Sequence, residues 1–292
     1  MESSIVFIGF GEAATAFAGG SPRARAYDLK TEVAETRAAK LADYANAGVI
    51  GVSSAADAVR DADAILSLVT ADQALLAARH AAGLLRAGAL WLDMNSVAPG
   101  TKREAALAIE AAGGRYVDVA VLAPVHPQRL AVPLLVSGPH AEAGATQLCA
   151  IGFTNVRTIA GGVGKASAIK MIRSVMVKGL EALTAEWILA AEAAGIRDEA
   201  VAALNASWPG TDWAAKADYN LERMMVHGVR RAAEMEEVVK TLDAVGTGSA
   251  MTRGTVERQR ALGILAHAAP VGLDDKLALL LGKDRPDNKE AA

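Results

Sequence analysis

From Ser4 to about Ala160, short β-branched runs alternate with alanine-rich helical periods, and that alternation leaves few architectures open. Strands separated by helices pair in parallel through crossover connections, so the pattern predicts a parallel sheet with helices on its faces. Seven runs qualify as strands: Ile5 to Ile8, Ala24 to Asp28, Ile65 to Val69, Leu90 to Met94, Tyr116 to Val119, Leu134 to Ser137 and Asn155 to Ile159. Most are flat apolar stretches, as expected for strands covered on both faces. After Gly161-Gly162-Val163-Gly164 the pattern changes. Helical periodicity runs from Lys165 to Ala194, interrupted only by Gly179, and further helical stretches punctuated by Gly and Pro follow to about Leu281. Two domains are expected, 1–162 and 163–292, the second all-helical. The charged segment Lys283 to Ala292 reads as a frayed end.

Gly9-Phe10-Gly11-Glu12-Ala13-Ala14 directly follows the first strand and opens an alanine-rich helix, with the form G-x-G-x-x-A. Glycines there remove the side chains that would keep a pyrophosphate from the helix N-terminus, where free N–H groups and the dipole favour anions. Asp28 falls nineteen positions after Gly9, at the end of the second strand, where a carboxylate can accept both hydroxyls of an adenosine ribose. Together these residues predict a Rossmann-type dinucleotide-binding domain. The other reading is a tight strand-to-helix turn with Asp28 capping the next helix. A carboxylate at position 28 repels a 2′-phosphate and favours NAD, while Arg23, Arg25 and Lys30 keep NADP open.

Composition narrows the partners. Of 292 residues, 52% are apolar and 22% charged, which excludes disorder, and a net charge of −3 gives no basic footprint for nucleic acid. Cys149 stands alone, which excludes an internal disulfide and suits a reducing cytoplasm. The first ten residues read as a strand and not a signal peptide, no stretch is apolar enough to span a bilayer, and the expected partner is a small molecule. His80, His140 and His267 have no metal-binding spacing, so no metal is expected. Trp187, Trp208 and Trp213 are expected to fill the helical core or a subunit interface.

The glycines before Lys165 do not form a phosphate loop, because Ile159 and Ala166 stand where that motif needs Gly and Ser or Thr. They launch a helix on which Lys170 sits among Ala166, Ala168, Ile169, Met171 and Ile172. Desolvation in such company lowers a lysine pKa toward the range of a general base. The residues alone favour the ordinary alternative, an apolar-lying stem with its head in water.

The glycine turn, together with Gly164-Lys165-Ala166-Ser167-Ala168-Ile169-Lys170, resembles the β-hydroxyacid dehydrogenase family related to 6-phosphogluconate dehydrogenase, and the similarity spans nearly the whole chain. The resemblance implies an NAD(P)-dependent oxidoreductase acting on a small β-hydroxy acid or aldehyde acid, often a homodimer through its helical domain. It implies that Lys170 takes the hydroxyl proton during hydride transfer. Asp93-Met94-Asn95-Ser96-Val97-Ala98-Pro99 is similar to the family's loop after the fifth strand, making Asn95 and Ser96 candidate substrate donors. Oxidative decarboxylation of a hydroxy acid and a non-catalytic NAD(H)-binding regulatory role are the alternatives.

Departures from the family pattern imply a different substrate pocket and a less characterised branch. Ala166 replaces a glycine, Ser174 stands in place of a substrate-binding asparagine, and Leu122-Ala123-Pro124-Val125-His126-Pro127 replaces Ser-Gly-Gly. His126 lies close to where family members bind the substrate acid group, and is either a ligand or an ordinary turn histidine. His227, Arg230, Arg231 and Glu234 fall within two turns at spacings that share a helical face. They are either a site for a substrate carboxylate or phosphate, with an Arg fork, or a solvated ladder of charges.

Overall fold

The computed structural model describes residues 4–20, 23–265 and 268–282. The chain divides into two compact units, one ending at Ile172 and the other starting at Arg173. The division runs through a long helix, beyond the glycine turn at 161–164 where the sequence pattern changes.

The first unit alternates β1 (Ile5–Ile8), α1 (Glu12–Phe17), β2 (Arg25–Tyr27), α2 (Ala34–Ala47), β3 (Ile50–Gly51), α3 (Ala55–Val59), β4 (Ala64–Ser67) and α4 (Ala74–Ala82). It continues through β5 (Leu90–Asp93), α5 (Pro99–Ala111), β6 (Arg115–Val121), β7 (Leu134–Ser137), α6 (Ala141–Ile151) and β8 (Val156–Thr158) to the start of α7 (Lys165–Ala193). Eight strands form one sheet in the order β3-β2-β1-β4-β5-β6-β7-β8. Alternate residues serve opposite faces: Phe7, Leu66 and Leu92 enter one apolar core, Val6, Ile65 and Trp91 the other. Both faces are therefore covered, which is why the central strands read as unbroken apolar runs. The neighbours of β1 are β2 on one side and β4 on the other, so the crevice past the ends of β1 and β4 is the switch point where open α/β sheets bind ligands.

The sheet differs from the sequence expectation in two ways. β3, with two exposed residues paired to β2, is too short to carry a period. The sheet is also mixed, because β7 runs antiparallel to β6. Residues 122–133 join these strands with only a short 3-10 turn, and without a crossover helix a neighbouring strand returns antiparallel.

The second unit continues α7 and adds α8 (Arg197–Ser207), α9 (Trp213–Val245), α10 (Ala250–Leu265) and α11 (Leu273–Leu280). Its core joins Ala185 and Ile188 of α7, Leu221 and Met224 of α9, Leu262 of α10 and Leu277 of α11. Trp213 is buried and packs edge-on against Trp187 and Trp208, of which Trp208 is itself exposed. Among the described residues, no helix is long and apolar enough to cross a membrane.

Candidate active site

The chain leaves β1 at Gly9, whose φ of +84° lies in the left-handed region. A Cβ there would come within 2.6 Å of the Leu68 carbonyl oxygen just past β4, so the turn requires glycine. Gly11 has a different role: its backbone is extended, it precedes α1, and an added Cβ would meet nothing within 4 Å. Open space therefore faces the first turn of α1, whose N–H groups no side chain among the described residues caps. Ala14 is fully buried in the sheet's core, where its size permits close helix-to-sheet packing, while Ala13 is half-buried and Glu12 exposed.

Phe10, expected from the motif to contact a cofactor, is committed to the protein itself. Its ring is buried against Phe7 and Tyr44, its N–H donates to Asp28 Oδ2 at 2.8 Å, and its carbonyl accepts from Lys40 Nζ at 2.7 Å. The residue clamps the turn. Asp28 is half-buried at the end of β2, with Oδ1 accepting the Lys30 N–H at 2.9 Å. Asp28 thus caps the short 3-10 turn Leu29–Thr31, as the alternative reading expects, while each carboxylate oxygen keeps a second lone pair as acceptor capacity. No local motif in the sequence singles out Lys40.

A second set of polar groups lies at the ends of the central strands. Ser67, Asp93, Asp118 and Ser137 are successive register partners across β4, β5, β6 and β7, and all four are fully buried. Buried polar groups need partners, and Lys102 of α5, also fully buried, supplies the charge. Its Nζ donates to the Asp93 carbonyl at 2.6 Å and to Asp93 Oδ1 at 2.9 Å, and lies 3.6 Å from Asp118 Oδ1. Tyr116 donates to Asp93 Oδ2 at 2.5 Å, and burial, with that carboxylate beside it, pushes the phenol well above its ordinary value. Asp118 Oδ2 in turn accepts the N–H groups of Gly164 and Ser167 at 3.0 and 3.1 Å and the Ser137 hydroxyl at 3.0 Å. Ser137 Oγ accepts the Ala166 N–H at 3.0 Å. The row thus caps the start of α7.

On that helix Lys170 is half-buried, and its Nζ donates a short hydrogen bond to Ser96 Oγ. These two candidates, 74 residues apart in sequence, meet in the first unit. Asn95, expected as a substrate donor, is placed in the buried row. It is 4% exposed, its amide donates to Ser67 Oγ and Asp93 Oδ1, and its oxygen accepts the Val69 N–H at 2.7 Å. No hydrogen of that amide remains for a ligand. Lys102 could have been found in the sequence, because it falls on the stripe Ala98, Lys102, Ala105, Ile109 that a buried helix face produces.

In the second unit the expected cluster divides. Arg231 is buried and its guanidinium grips both oxygens of Glu181 on α7, which also accepts from Gln259 Nε2 at 2.9 Å. Both contacts are made by one nitrogen, Nη2, while the buried Nε has no hydrogen-bond partner among the described residues. Arg230 is exposed and pairs with Glu234 Oε1 at 2.8 Å. Consecutive helical residues point about 100° apart, so the two arginines serve opposite environments. His227 is half-buried and Ser174 buried one turn beyond Lys170. Lys178, a further turn along α7, lies 2.6 Å from Glu234 Oε2, and burial pushes its amine below the ordinary value against the pull of that carboxylate. His126 is exposed in the turn after β6. His267 and the segment 283–292 lie outside the described residues.

A sequence profile for the NAD binding domain of 6-phosphogluconate dehydrogenase matches residues 4–148, and one for a domain of unknown function, DUF1932, matches residues 191–262. A conserved hypothetical protein from Sinorhizobium meliloti 1021 is 37% identical, with 97% of each chain covered and a TM-score of 0.73. The chain belongs to the 6-phosphogluconate dehydrogenase-like family through its NAD-binding domain, which a DUF1932 domain follows. A second solved structure, described as a conserved protein of unknown function similar to 3-hydroxyacid dehydrogenases, is 29% identical over 89% of this chain and 99% of that one, at a TM-score of 0.66. The 3-hydroxyisobutyrate dehydrogenase of Mycobacterium tuberculosis, solved with L-serine, shares the fold at 18% identity and a TM-score of 0.72, with 97% of this chain and 100% of that one covered. The NAD-binding match contains the glycine turn, Asp28 and the buried row, so in this family member the first unit is the one that takes a nicotinamide cofactor.

Proposed function

We propose that this protein is an NAD(P)-dependent dehydrogenase of a small β-hydroxy acid or the corresponding aldehyde acid, with Lys170 as the proton carrier and Ser96 beside it as a substrate donor. The observation that carries this reading is the hydrogen bond from Lys170 Nζ to Ser96 Oγ, which sets an amine and a hydroxyl together at the strand-end edge of the nucleotide-binding unit. The open space in front of Gly11 and the uncapped N–H groups of α1 suit the pyrophosphate of a dinucleotide, and the remaining lone pairs of Asp28 suit its adenosine ribose. A bound nicotinamide supplies the hydride acceptor. The chain's own residues do the rest.

The Ser96 hydroxyl, a donor as well as an acceptor, orients the substrate hydroxyl toward Lys170. The neutral amine of Lys170 then accepts the hydroxyl proton as the carbon becomes a carbonyl, and returns it in the reductive direction. Asp28 favours NAD over NADP through repulsion of a 2′-phosphate. The test is turnover of a panel of small β-hydroxy acids with NAD or NADP, followed by absorbance of the reduced cofactor. Lys170→Ala should lose about 10²–10⁴-fold in kcat while still binding cofactor, the range for a placed proton-transfer group. Near-wild-type turnover by a folded Lys170→Ala protein would overturn the assignment.

A further inference from the structure

The buried row beneath the site contains more charge than a fold of this kind needs. Asp93 and Asp118 are direct partners on neighbouring parallel strands, fully buried, with one cation, Lys102, between them. Removing ions from water costs several kcal/mol each even when they are paired, and apolar residues of similar volume often hold a core equally well. Stability alone is thus a weak reason for this arrangement. Its connections suggest another. Through Asp93 the ammonium reaches the loop that carries Ser96, because Asp93 Oδ1 also accepts the N–H of Asn95 at 3.0 Å and its side-chain amide at 2.8 Å. At 3.6 Å from Asp118 Oδ1, an oxygen with no hydrogen bond among the described residues, it also neighbours the carboxylate whose Oδ2 holds the Gly164 and Ser167 N–H groups at the start of α7, the helix that carries Lys170. One buried cation therefore sits between the two supports whose ends must meet for the Lys170–Ser96 hydrogen bond to form.

We infer that Lys102 is a positioning residue for the reaction: it locks the ends of β5 and β6 together and so sets Lys170 against Ser96. This rests on the reading of Lys170 as proton carrier. Replacing Lys102 with Met keeps the length and removes the charge. The β5 loop and the α7 start then lose their shared anchor, and the amine and hydroxyl separate. Misplacement of reacting groups by about 1 Å costs on the order of 10²-fold in rate, without any direct contact between Lys102 and substrate.

The experiment uses the full chain as wild type, Lys102→Met, Lys170→Ala and the double variant, with folding checked by circular dichroism. Acetic anhydride labelling of lysine amines across the pH range below the ordinary lysine value of about 10.4, read by mass spectrometry, reports the reactivity of Lys170 against exposed Lys216 as an internal reference. We expect Lys102→Met to change the labelling rate or midpoint of Lys170 and leave Lys216 unchanged. It should lower kcat by about 10–10²-fold with cofactor affinity within about twofold of wild type. In the Lys170→Ala background, Lys102→Met should cause no further loss, because the two act through one step.

Unchanged Lys170 labelling in Lys102→Met, or an equal loss of residual turnover with and without Lys170, overturns the inference. Wild-type turnover by Lys170→Ala would refute the proton-carrier reading, and the labelling result would still judge whether Lys102 sets the placement of Lys170. If Lys102→Met does not fold, Lys102→Met/Asp118→Asn carries the same test. Asparagine retains an acceptor oxygen for the Gly164 and Ser167 N–H groups, and the pair of changes leaves the cluster with its original net charge.

Discussion

The two glycines of the first turn should fail in opposite ways when each is replaced by alanine. At Gly11 the backbone is extended and a Cβ meets nothing, so Gly11→Ala introduces no strain. Alanine is a poorer residue before a helix than glycine by roughly 0.5–1 kcal/mol, and reduces unfolded-chain entropy by about 0.4–1 kcal/mol, so the two effects nearly cancel. The melting temperature should stay within about 2 °C of wild type. The new methyl would occupy the space in front of the first-turn N–H groups of α1, and losing one charge-assisted hydrogen bond of about 1.5–3 kcal/mol lowers cofactor affinity about 10–10²-fold. Gly9→Ala should do the reverse. A left-handed alanine costs about 1–2 kcal/mol before any clash, and here the Cβ would also press on the Leu68 carbonyl at 2.6 Å. A fall in melting temperature of at least about 3–6 °C is expected. Thermal melts and titration with NADH fluorescence separate the two. Wild-type cofactor affinity in Gly11→Ala, or a wild-type melt for Gly9→Ala, would refute the geometry assigned to this turn.

Arg231→Met should destabilise the helical unit by about 3–5 kcal/mol in denaturant unfolding, because it strands the buried Glu181 carboxylate, and Glu181→Gln in the same chain should recover most of the loss. A rise in substrate KM with stability intact would instead return Arg231 to ligand binding. Asp28→Asn should narrow the NAD over NADP affinity ratio while keeping an acceptor for the Phe10 N–H, and an unchanged ratio would exclude Asp28 from cofactor choice. Burial raises the phenols of Tyr27, Tyr44 and Tyr116, so the folded chain holds protons that the unfolded chain releases above about pH 10. That stability is fully present below pH 10 and is lost as pH rises, with a slope approaching about 1.4 kcal/mol per pH unit for each phenol. Alkaline spectrophotometric titration should show these three ionising together with unfolding, and their separate ionisation in a folded chain would contradict the burial described.

Pattern along the chain was sufficient for the α/β unit, the helical remainder and the glycine turn with Asp28 at the end of the second strand, whereas Lys170 stood out only through the family resemblance. The first three depend on near neighbours: the period of apolar residues, the steric freedom of glycine, and a spacing of about twenty residues that one βαβ step enforces. β3 escaped because two exposed residues carry no period, and the reversal of β7 escaped because direction depends on what the connection lacks. Side-chain roles were the least legible. Asn95 and Ser96 are adjacent and polar in sequence, but the pleat and the loop turn one into the buried row and the other toward Lys170. Arg230 and Arg231 differ by one helical step, and that step separates water from a buried carboxylate. The row itself, Ser67, Asp93, Asp118 and Ser137 with Lys102 across it, draws its members from four strands and a helix. No local pattern can place such groups side by side. Only sheet register does, because hydrogen bonding between strands fixes which distant residues must satisfy one another once water is gone.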